Sequence, residues 1–497
     1  VTIIEPGRNC WRLADTRRAS VLVDGAAYFR QLDAALANAQ RSITILGWDF
    51  DARIRLRPDI EGSPNLGDRL RELVEARPDL TVRILIWSVA VLHAPGAPLP
   101  LILGAEWQDH PRIDLRLDGR HPIYAAHHQK IVCIDDAVAF VGGIDLTVGR
   151  WDTPEHRVDD PLRLTPEGKP HDAVHDVQMM VDGEAARAIA ALARQRWKVA
   201  TGEVLSLEPD HGDDPWPAGQ AADLRDVSVA IARTAPHWGE LRGVRECAEL
   251  TYRAISEARR SIYIEAQYLT ATSIGKRLAE VLRRADGPEV VVVATCFSKG
   301  FLEQWVMGRN RDRLVRRLKR ADRHGRLRVF CPMIPDGEEG RRQLLVHAKL
   351  LIVDDTFLRV GSSNMNNRSI GLDTECDLAI EAPDDQTRAM IRGLRHSLLA
   401  EHLGATADAV AVAEGIEASP LAAIAELNHS RRGLAAMDDL PRIGPVRPMF
   451  MTSILDPKRP FEPLWFLSRK REGKARRTDG SSPSRRRLSG ARLHSPG

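Results

Sequence analysis

No stretch of this chain approaches the roughly 18 consecutive apolar residues that a membrane-spanning helix needs, so none is expected within it. Cysteine is sparse: Cys10, Cys133, Cys247, Cys296, Cys331 and Cys376 show neither paired spacing nor C-x-x-C. With Cys133 inside an apolar strand and Cys376 in a similar setting, reduced core residues are expected rather than a disulfide framework. The first residues hold no basic region followed by a long apolar stretch, so no signal peptide is read there. A cytoplasmic or peripheral-membrane location is expected, with export left open because the start of a chain can be processed.

An excess of positive charge is also missing from most of the chain. The formal net charge is +3, yet residues 469–497 hold ten Arg or Lys against two acidic residues, which leaves −5 on everything before them. A body of that sign is not a general nucleic-acid binder, although a local basic funnel at a site stays open. The tail, with Ser481-Ser482-Pro483-Ser484 before Arg485-Arg486-Arg487, reads as a disordered, solvated end, with contact to an acidic membrane surface as the second reading.

The 497 residues are enough for two or more cores, and 43% hydrophobic with 28% charged residues is the balance of a soluble globular protein. Helical periodicity predicts helices over 26–40, 65–76, 184–198, 243–259, 273–285 and 385–403. Strands are predicted over 42–48, 82–87, 261–266 and 289–295, and hairpins over 131–141 and 350–360. Further helices are expected over the Arg-dense 299–325 and the Ala-rich 406–427, with Leu464-Trp465-Phe466-Leu467 as an anchor for a last segment. Residues 151–175 lack periodicity and read as a long loop over a site. The expected fold class is α/β: two similar α/β/α sandwich halves related by internal duplication, with one active site at their interface. The expected bounds are 1–206 and 224–405 for the halves, 207–223 for a linker, 406–468 for a helical and irregular extension, and 469–497 for the tail.

A repeated motif carries the duplication. His128-Gln129-Lys130, followed by Asp135, recurs 219 residues later as His347-Ala348-Lys349, followed by Asp354. The same offset maps Gly142 onto Gly361, Asp145 onto Asn364, and the strand from Ser42 onto that from Ser261. A phosphodiester resists hydrolysis because its anionic oxygens repel nucleophiles and its alkoxide leaves poorly. Lysine answers the first difficulty as a compact cation, and histidine serves as nucleophile or acid. Residues i and i+2 of a strand share a face, so His128 and Lys130 point together, as do His347 and Lys349. The turns Gly142-Gly143-Ile144-Asp145 and Gly361-Ser362-Ser363-Asn364 offer small residues where a phosphoryl group could approach, with Asn364 as a donor. One H-x-K alone is most often a packed or surface pair; two at one register point to a composite site. Metal binding by these histidines is disfavoured, because the neighbouring lysines oppose a cation.

These residues resemble the phospholipase D superfamily, whose signature is H-x-K-x4-D twice, over roughly residues 25–405. The runs His127 to Asp135, Ala139 to Leu146 and Gly149-Arg150-Trp151-Asp152-Thr153 look like the first catalytic block of phosphatidylcholine-hydrolysing phospholipases D. Ile262 to Tyr268 is similar too, with Ala266 where those enzymes usually carry Asn. The resemblance implies that His128 attacks phosphorus to form a phosphohistidine while His347 protonates the departing alcohol. His347 then activates water or a primary alcohol as acceptor. Lys130, Lys349 and Asn364 would hold the phosphoryl oxygens. The resemblance assigns Asp176 to orient His128 and Glu375 to orient His347. Asp135 and Asp354, at hairpin turns, are expected to brace the half-sites. Asp145 stands where many members have Asn and is expected to face a backbone amide or Arg150.

The expected function is hydrolysis of phosphatidylcholine or phosphatidylethanolamine to phosphatidic acid and free alcohol, with transphosphatidylation. The alternatives are a cardiolipin synthase-like phosphatidyltransferase and a phosphodiesterase or nuclease of the same superfamily. A non-catalytic scaffold is disfavoured because both motifs keep His and Lys. No cofactor is required by this chemistry, and calcium at an anionic lipid surface is left open. The expected partners are a glycerophospholipid at a membrane surface and water or a primary alcohol, with no specific nucleic acid and a monomeric chain. Trp107, Trp151, Trp305 and the tail are candidates for membrane contact.

Overall fold

Each half opens with a 12-residue strand, β1 (Arg12–Val23) and its counterpart β9 (Leu224–Ala235). The computed structural model describes residues 2–88, 105–207, 212, 214–296, 307–416, 418–438, 440–449 and 456–459. After β1 come α1 (Asp24–Asn38), β2 (Ser42–Gly47), α2 (Leu66–Ala76), β3 (Thr81–Trp87) and β4 (Ile113–Asp118). The hairpin β5 (Ile131–Ile134) and β6 (Val138–Gly142), the short β7 (Val174–His175), β8 (Val177–Asp182) and α3 (Gly183–Thr201) complete this half.

The second half repeats the plan. After β9 and β10 (Val244–Arg245) come α4 (Glu246–Glu257), β11 (Ser261–Ala266), α5 (Thr272–Leu282), β12 (Glu289–Ala294), α6 (Arg309–Ala321) and β13 (Leu327–Asp336). Then follow β14 (Gly340–Gln343), β15 (Leu345–Val346), the hairpin β16 (Lys349–Val353) and β17 (Phe357–Gly361), α7 (Asn367–Gly371), β18 (Glu375–Glu381) and α8 (Asp385–Leu403).

In the first half β4, β3 and β2 pair in parallel, and β5, β6, β8 and β1 continue antiparallel. The second half matches this with β13, β12 and β11 in parallel and β16, β17, β18 and β9 antiparallel. Because β1 pairs antiparallel with β9, Arg12 opposite Ile231 and Ala19 opposite Leu224, one sheet runs through both halves. The inner strands are apolar on both faces, as in the buried Val290 to Ala294, because helices cover both sides. One core forms around α1 and α2, one around α4, α5 and α6, and a third is shared between the halves around α3 and α8. The fold is thus a mixed α/β one with a large central sheet.

The motif hairpins turn at Asp135-Asp136 (φ 53° and 54°) and Asp354-Asp355 (φ 53° and 55°), closed by Ala137 N–H to Ile134 O at 2.9 Å and Thr356 N–H to Val353 O at 3.0 Å. Left-handed backbone at both central positions matches the twist of the flanking strands, and aspartate tolerates it better than most residues.

Several expectations change. Residues 406–427 form two helices, α9 (Ala407–Glu414) and α10 (Pro420–Leu427), because Gly415 turns left-handed at φ 61° and Pro420 can only start a helix. Cys296 and Cys331 form a disulfide with Cα atoms 5.8 Å apart, brought side by side by the neighbouring strands β12 and β13, whereas Cys10, Cys133, Cys247 and Cys376 are buried thiols. In the expected linker, Trp216 is buried in the first half's core. A strand, β19 (Gly433–Ala436), pairs with β13 within the extension expected to be helical and irregular. Trp305, residues 464–467 and the basic tail lie outside the described residues. Among the described residues no helix is long and apolar enough to cross a membrane.

Candidate active site

Each motif strand is laid against the opposite half. His128 N–H donates to Thr374 O at 3.0 Å and Thr374 N–H to Ala126 O at 2.9 Å. In the equivalent arrangement β15 runs parallel to β7, and His347 N–H donates to His175 O at 2.7 Å. The residue after each of these bridges is a buried carboxylate, and its side chain follows the bridge across the interface. Glu375 Oε2 therefore lies 3.0 Å from His128 Nδ1, and Asp176 Oδ2 lies 2.6 Å from His347 Nδ1. The assignment of Asp176 to His128 and Glu375 to His347 is corrected: the right carboxylates are present, but the pairs are crossed. β8 and β18 belong to their own halves' sheets, yet the residues preceding Asp176 and Glu375 pair with the other half.

With Nδ1 engaged, each ring leaves Nε2 for chemistry. His128 and His347 both line a cleft of about 370 Å³, together with Trp48, Trp87, Arg150 and Tyr268. Lys130 Nζ lies 3.0 Å from Asp145 Oδ2 and donates to His128 O at 3.0 Å. Asp145 Oδ1 accepts from Trp48 N–H at 2.9 Å, which agrees with the backbone-amide expectation, while its cation is Lys130 rather than Arg150. Lys349 donates to His347 O and sits 3.1 Å from His347 Nδ1. Asn364 lines the cleft, its backbone N–H tied to Ser369 Oγ at 3.1 Å and its Oδ1 buried without a hydrogen-bond partner.

The small residues after the hairpins serve the carboxylates. A Cβ on Gly143 would fall 2.0 Å from Asp176 Oδ1, and one on Gly361 2.1 Å from Asp377 Oδ1. The expectation that these glycines open space for phosphate is corrected: they let the strand bearing the acid pack close. At the position equivalent to Gly143, Ser362 Oγ donates to Glu375 Oε2 at 2.5 Å.

Asp135 and Asp354 brace the site from below, as expected. Asp135 accepts from the backbone N–H groups of Gln40, Arg41 and Ser42 at 2.7, 2.8 and 2.8 Å. Asp354 accepts from those of Arg259, Arg260 and Ser261 at 2.8, 2.7 and 2.9 Å. Each hairpin is thereby locked to the start of the strand beside it.

Charge is divided unevenly. Burial, then Lys130 and Lys349, hold His128 well below the usual histidine range; burial, then Lys349 and Arg150, do the same for His347. Burial alone would raise Asp176, but His347 and Lys349 outweigh it and bring the carboxyl to about 2. Burial wins at Glu375, which rises to about 8 despite hydrogen bonds from Ser362 and Ser369. Burial also pushes Lys349 down to about 7. At neutral pH His347 faces a fixed anion and His128 an essentially neutral carboxyl.

Sequence reasoning gave Arg150 only as a partner for Asp145, yet it lines the cleft beside His347 and Lys349. The Gly149-Arg150-Trp151 run was the available signal. Trp48 and Trp87, stacked at 5.7 Å between ring centroids, had none beyond their place at strand ends. Trp151 is buried and Trp107 packs against Phe50 with centroids 6.0 Å apart, so packing accounts for both as candidates for membrane contact.

A duplicated α/β chain with one His–Lys motif per half, meeting on one cleft, is the class of protein described so far. Residues 114–221 match the family described as Phospholipase D, and residues 252–393 the one described as Cardiolipin synthase, PLD-like domain. The chain belongs to the phospholipase D superfamily. It is 25% identical over 465 residues to phospholipase D A of Dictyostelium discoideum, covering 77% of this chain and 35% of that protein. It is 26% identical over 502 residues to phospholipase D1 of Saccharomyces cerevisiae, covering 79% of this chain and 29% of the relative. The chain thus spans about a third of the length of these relatives. The phosphatidylserine synthase of Haemophilus influenzae shares the fold at a TM-score of 0.54 and 15% identity, over 78% of this chain and 88% of that one.

Proposed function

We propose that the chain is a phospholipase D that cleaves the headgroup phosphodiester of phosphatidylcholine or phosphatidylethanolamine to phosphatidic acid and the free alcohol. The observation that carries this reading is the pair of imidazoles, one from each half, each held at Nδ1 by a buried carboxylate from the other half and both lining one cleft. His128 Nε2 attacks phosphorus, forming a P–N bond as the P–O bond to the headgroup breaks. His347 gives the departing oxygen its proton. Burial, then Lys349 and Arg150, depress His347; the entering phosphodiester anion offsets the two cations and so favours the imidazolium that Asp176 stabilises. Water then gives a proton to His347 as its oxygen displaces the phosphohistidine, releasing phosphatidic acid.

Two features support a lipid over a nucleic acid. Ile123 and Tyr124 are exposed, 52% and 60%, and Arg368 on the cleft holds Tyr124 O, so an apolar rim adjoins the site. Stacked Trp48 and Trp87 with Tyr268 offer ring faces to a quaternary ammonium. The match of residues 252–393 to the cardiolipin synthase description favours transfer to an alcohol acceptor as the second reading.

The test is release of headgroup and phosphatidic acid from phosphatidylcholine and phosphatidylethanolamine vesicles by wild type, His128→Ala and His347→Ala, with and without a primary alcohol. Loss of release in both variants is expected, and a phosphatidyl alcohol dominating over phosphatidic acid would establish the transferase reading. No release from either lipid, with His-dependent cleavage of DNA or a small phosphodiester, would overturn the lipid assignment.

A further inference from the structure

Behind the catalytic cleft lies a second group of histidines and carboxylates that phosphodiester chemistry does not use. Asp24 at the start of α1, His156 in the loop after β6, His175 in β7 and Glu401 in α8 converge with one donor atom each. His175 Nδ1 lies 2.8 Å from Glu401 Oε1 and 3.1 Å from Asp24 Oδ1. His156 Nε2 lies 2.9 Å from the same Glu401 oxygen and 3.6 Å from Asp24 Oδ2. Asp24, His156 and His175 are fully buried, and the Glu401 side chain is 8% exposed.

We propose that Asp24, His156, His175 and Glu401 form a tetrahedral site for one divalent transition-metal ion, zinc in class, that pins the two halves together behind His347. Four donors at roughly 2.0–2.1 Å from a common centre stand about 3.3 Å apart, and the four imidazole-to-carboxylate separations, 2.8–3.6 Å, lie around that edge, with Asp24 facing His175 through Oδ1 and His156 through Oδ2. His175 Nδ1 is shared between two carboxylate oxygens and is not well aligned with either, and Asp24 Oδ2 is buried without a hydrogen-bond partner. A cation shared among these donors would satisfy both atoms at once.

Each imidazole is also set as metal-binding histidines are, with a carboxylate on the far nitrogen. His156 Nδ1 lies 2.8 Å from Asp152 Oδ2, and His175 Nε2 lies 2.8 Å from Glu265 Oε2. Those carboxylates are fixed in turn, Asp152 by Arg163 at 3.0 Å and Glu265 by Tyr263 and His402 at 2.6 and 2.9 Å. Two imidazole nitrogens with two carboxylate oxygens suit zinc better than calcium or magnesium, which prefer all-oxygen shells. Three ligands come from the first half and Glu401 from the second. The site holds the strand that carries Asp176, since Asp24 N–H donates to Asp176 O at 2.8 Å.

The proposal stands apart from the lipid reading and is tested without an activity assay. The full chain, stripped with EDTA and dialysed against micromolar zinc, is read by elemental analysis, by thermal unfolding and by the visible spectrum after cobalt substitution. One zinc per chain, a raised midpoint and an intense tetrahedral cobalt spectrum are expected. His128→Ala and His347→Ala should keep the ion, and Asp24→Asn and His156→Gln should lower zinc affinity at least tenfold. Should those variants not fold, zinc-edge anomalous scattering from wild-type crystals decides through a peak, or none, between His156 Nε2 and His175 Nδ1. A folded wild type that retains no zinc, or zinc lost with His128→Ala and kept with Asp24→Asn, overturns the proposal.

Discussion

Each lysine donates to its own histidine's carbonyl, but at His347 the partner carboxylate is brought to about 2 and the lysine also reaches the ring nitrogen, while at His128 the partner carboxyl rises to about 8 and the lysine is held 3.0 Å from Asp145. The backbone of the two half-sites is the same, down to the three N–H groups gathered by Asp135 and Asp354. The division lies in three equivalent positions: Asp176 against Glu375, Gly143 against Ser362, and Asp145 against Asn364. Duplication supplied two like frames, and under the proposed roles these few side chains would set the nucleophile apart from the proton carrier.

The sharpest test of that division separates the histidines. On a choline ester both His→Ala variants should lose at least about a thousandfold in rate. On a p-nitrophenyl ester, whose leaving group needs no proton, His347→Ala should keep a burst of nitrophenol and accumulate phosphohistidine, and His128→Ala should show neither. Phosphohistidine in His128→Ala would reverse the assignment.

The carboxylates should differ next. Asp176→Asn removes the anion beside His347 and should cost about a thousandfold in kcat. Glu375→Gln replaces an already neutral carboxyl by an amide and should cost about tenfold. Equal losses would mean that both acids work ionised.

The shared frame should respond symmetrically. Asp135→Ala and Asp354→Ala each strip the acceptor from three backbone N–H groups, and each should cost about 2–3 kcal/mol in urea unfolding. A difference between them well beyond error would show that one half is braced by contacts the other lacks.

The smallest effect is one of pH. Glu375 titrates near 8 in the folded chain against an ordinary 4.5, so between those values the folded state keeps a proton that the unfolded state releases. This group's contribution to stability therefore falls as pH rises from about 4.5 to 8. Thermal midpoints of wild type and Glu375→Gln should converge at pH 4.5 and separate toward pH 8, with the variant losing less. Parallel curves would show that Glu375 ionises normally.

The motif, its 219-residue repeat and the two turn aspartates were legible in the sequence because residue types and spacing along each hairpin mark them, although the backbone groups that the aspartates hold lie about 95 residues away at the start of the neighbouring strand. β1 and β9 were not, since alternation is blurred by polar runs such as Arg17-Arg18 and Arg225-Asp226 in strands that pair with each other. The right carboxylates were found and their partners were not, because a register counts along one chain and these contacts are made between halves. His156 sits in a stretch without periodicity, so nothing local marked its convergence with Asp24, His175 and Glu401. The Cys296–Cys331 disulfide escaped notice because strand adjacency, not spacing, brings the pair together.

The crossing of the carboxylates has a consequence for descent. A single half, standing alone, would own a histidine and an acid that cannot reach each other. Two identical copies related by a dyad would complete both pairs at once, since a self-complementary interface makes every contact twice. Fusing the copies keeps the reciprocity while freeing each acid to change independently, which is how an aspartate and a glutamate come to occupy matching places. Neither half can be lost, inverted or retired to a regulatory role without disarming the histidine of the other.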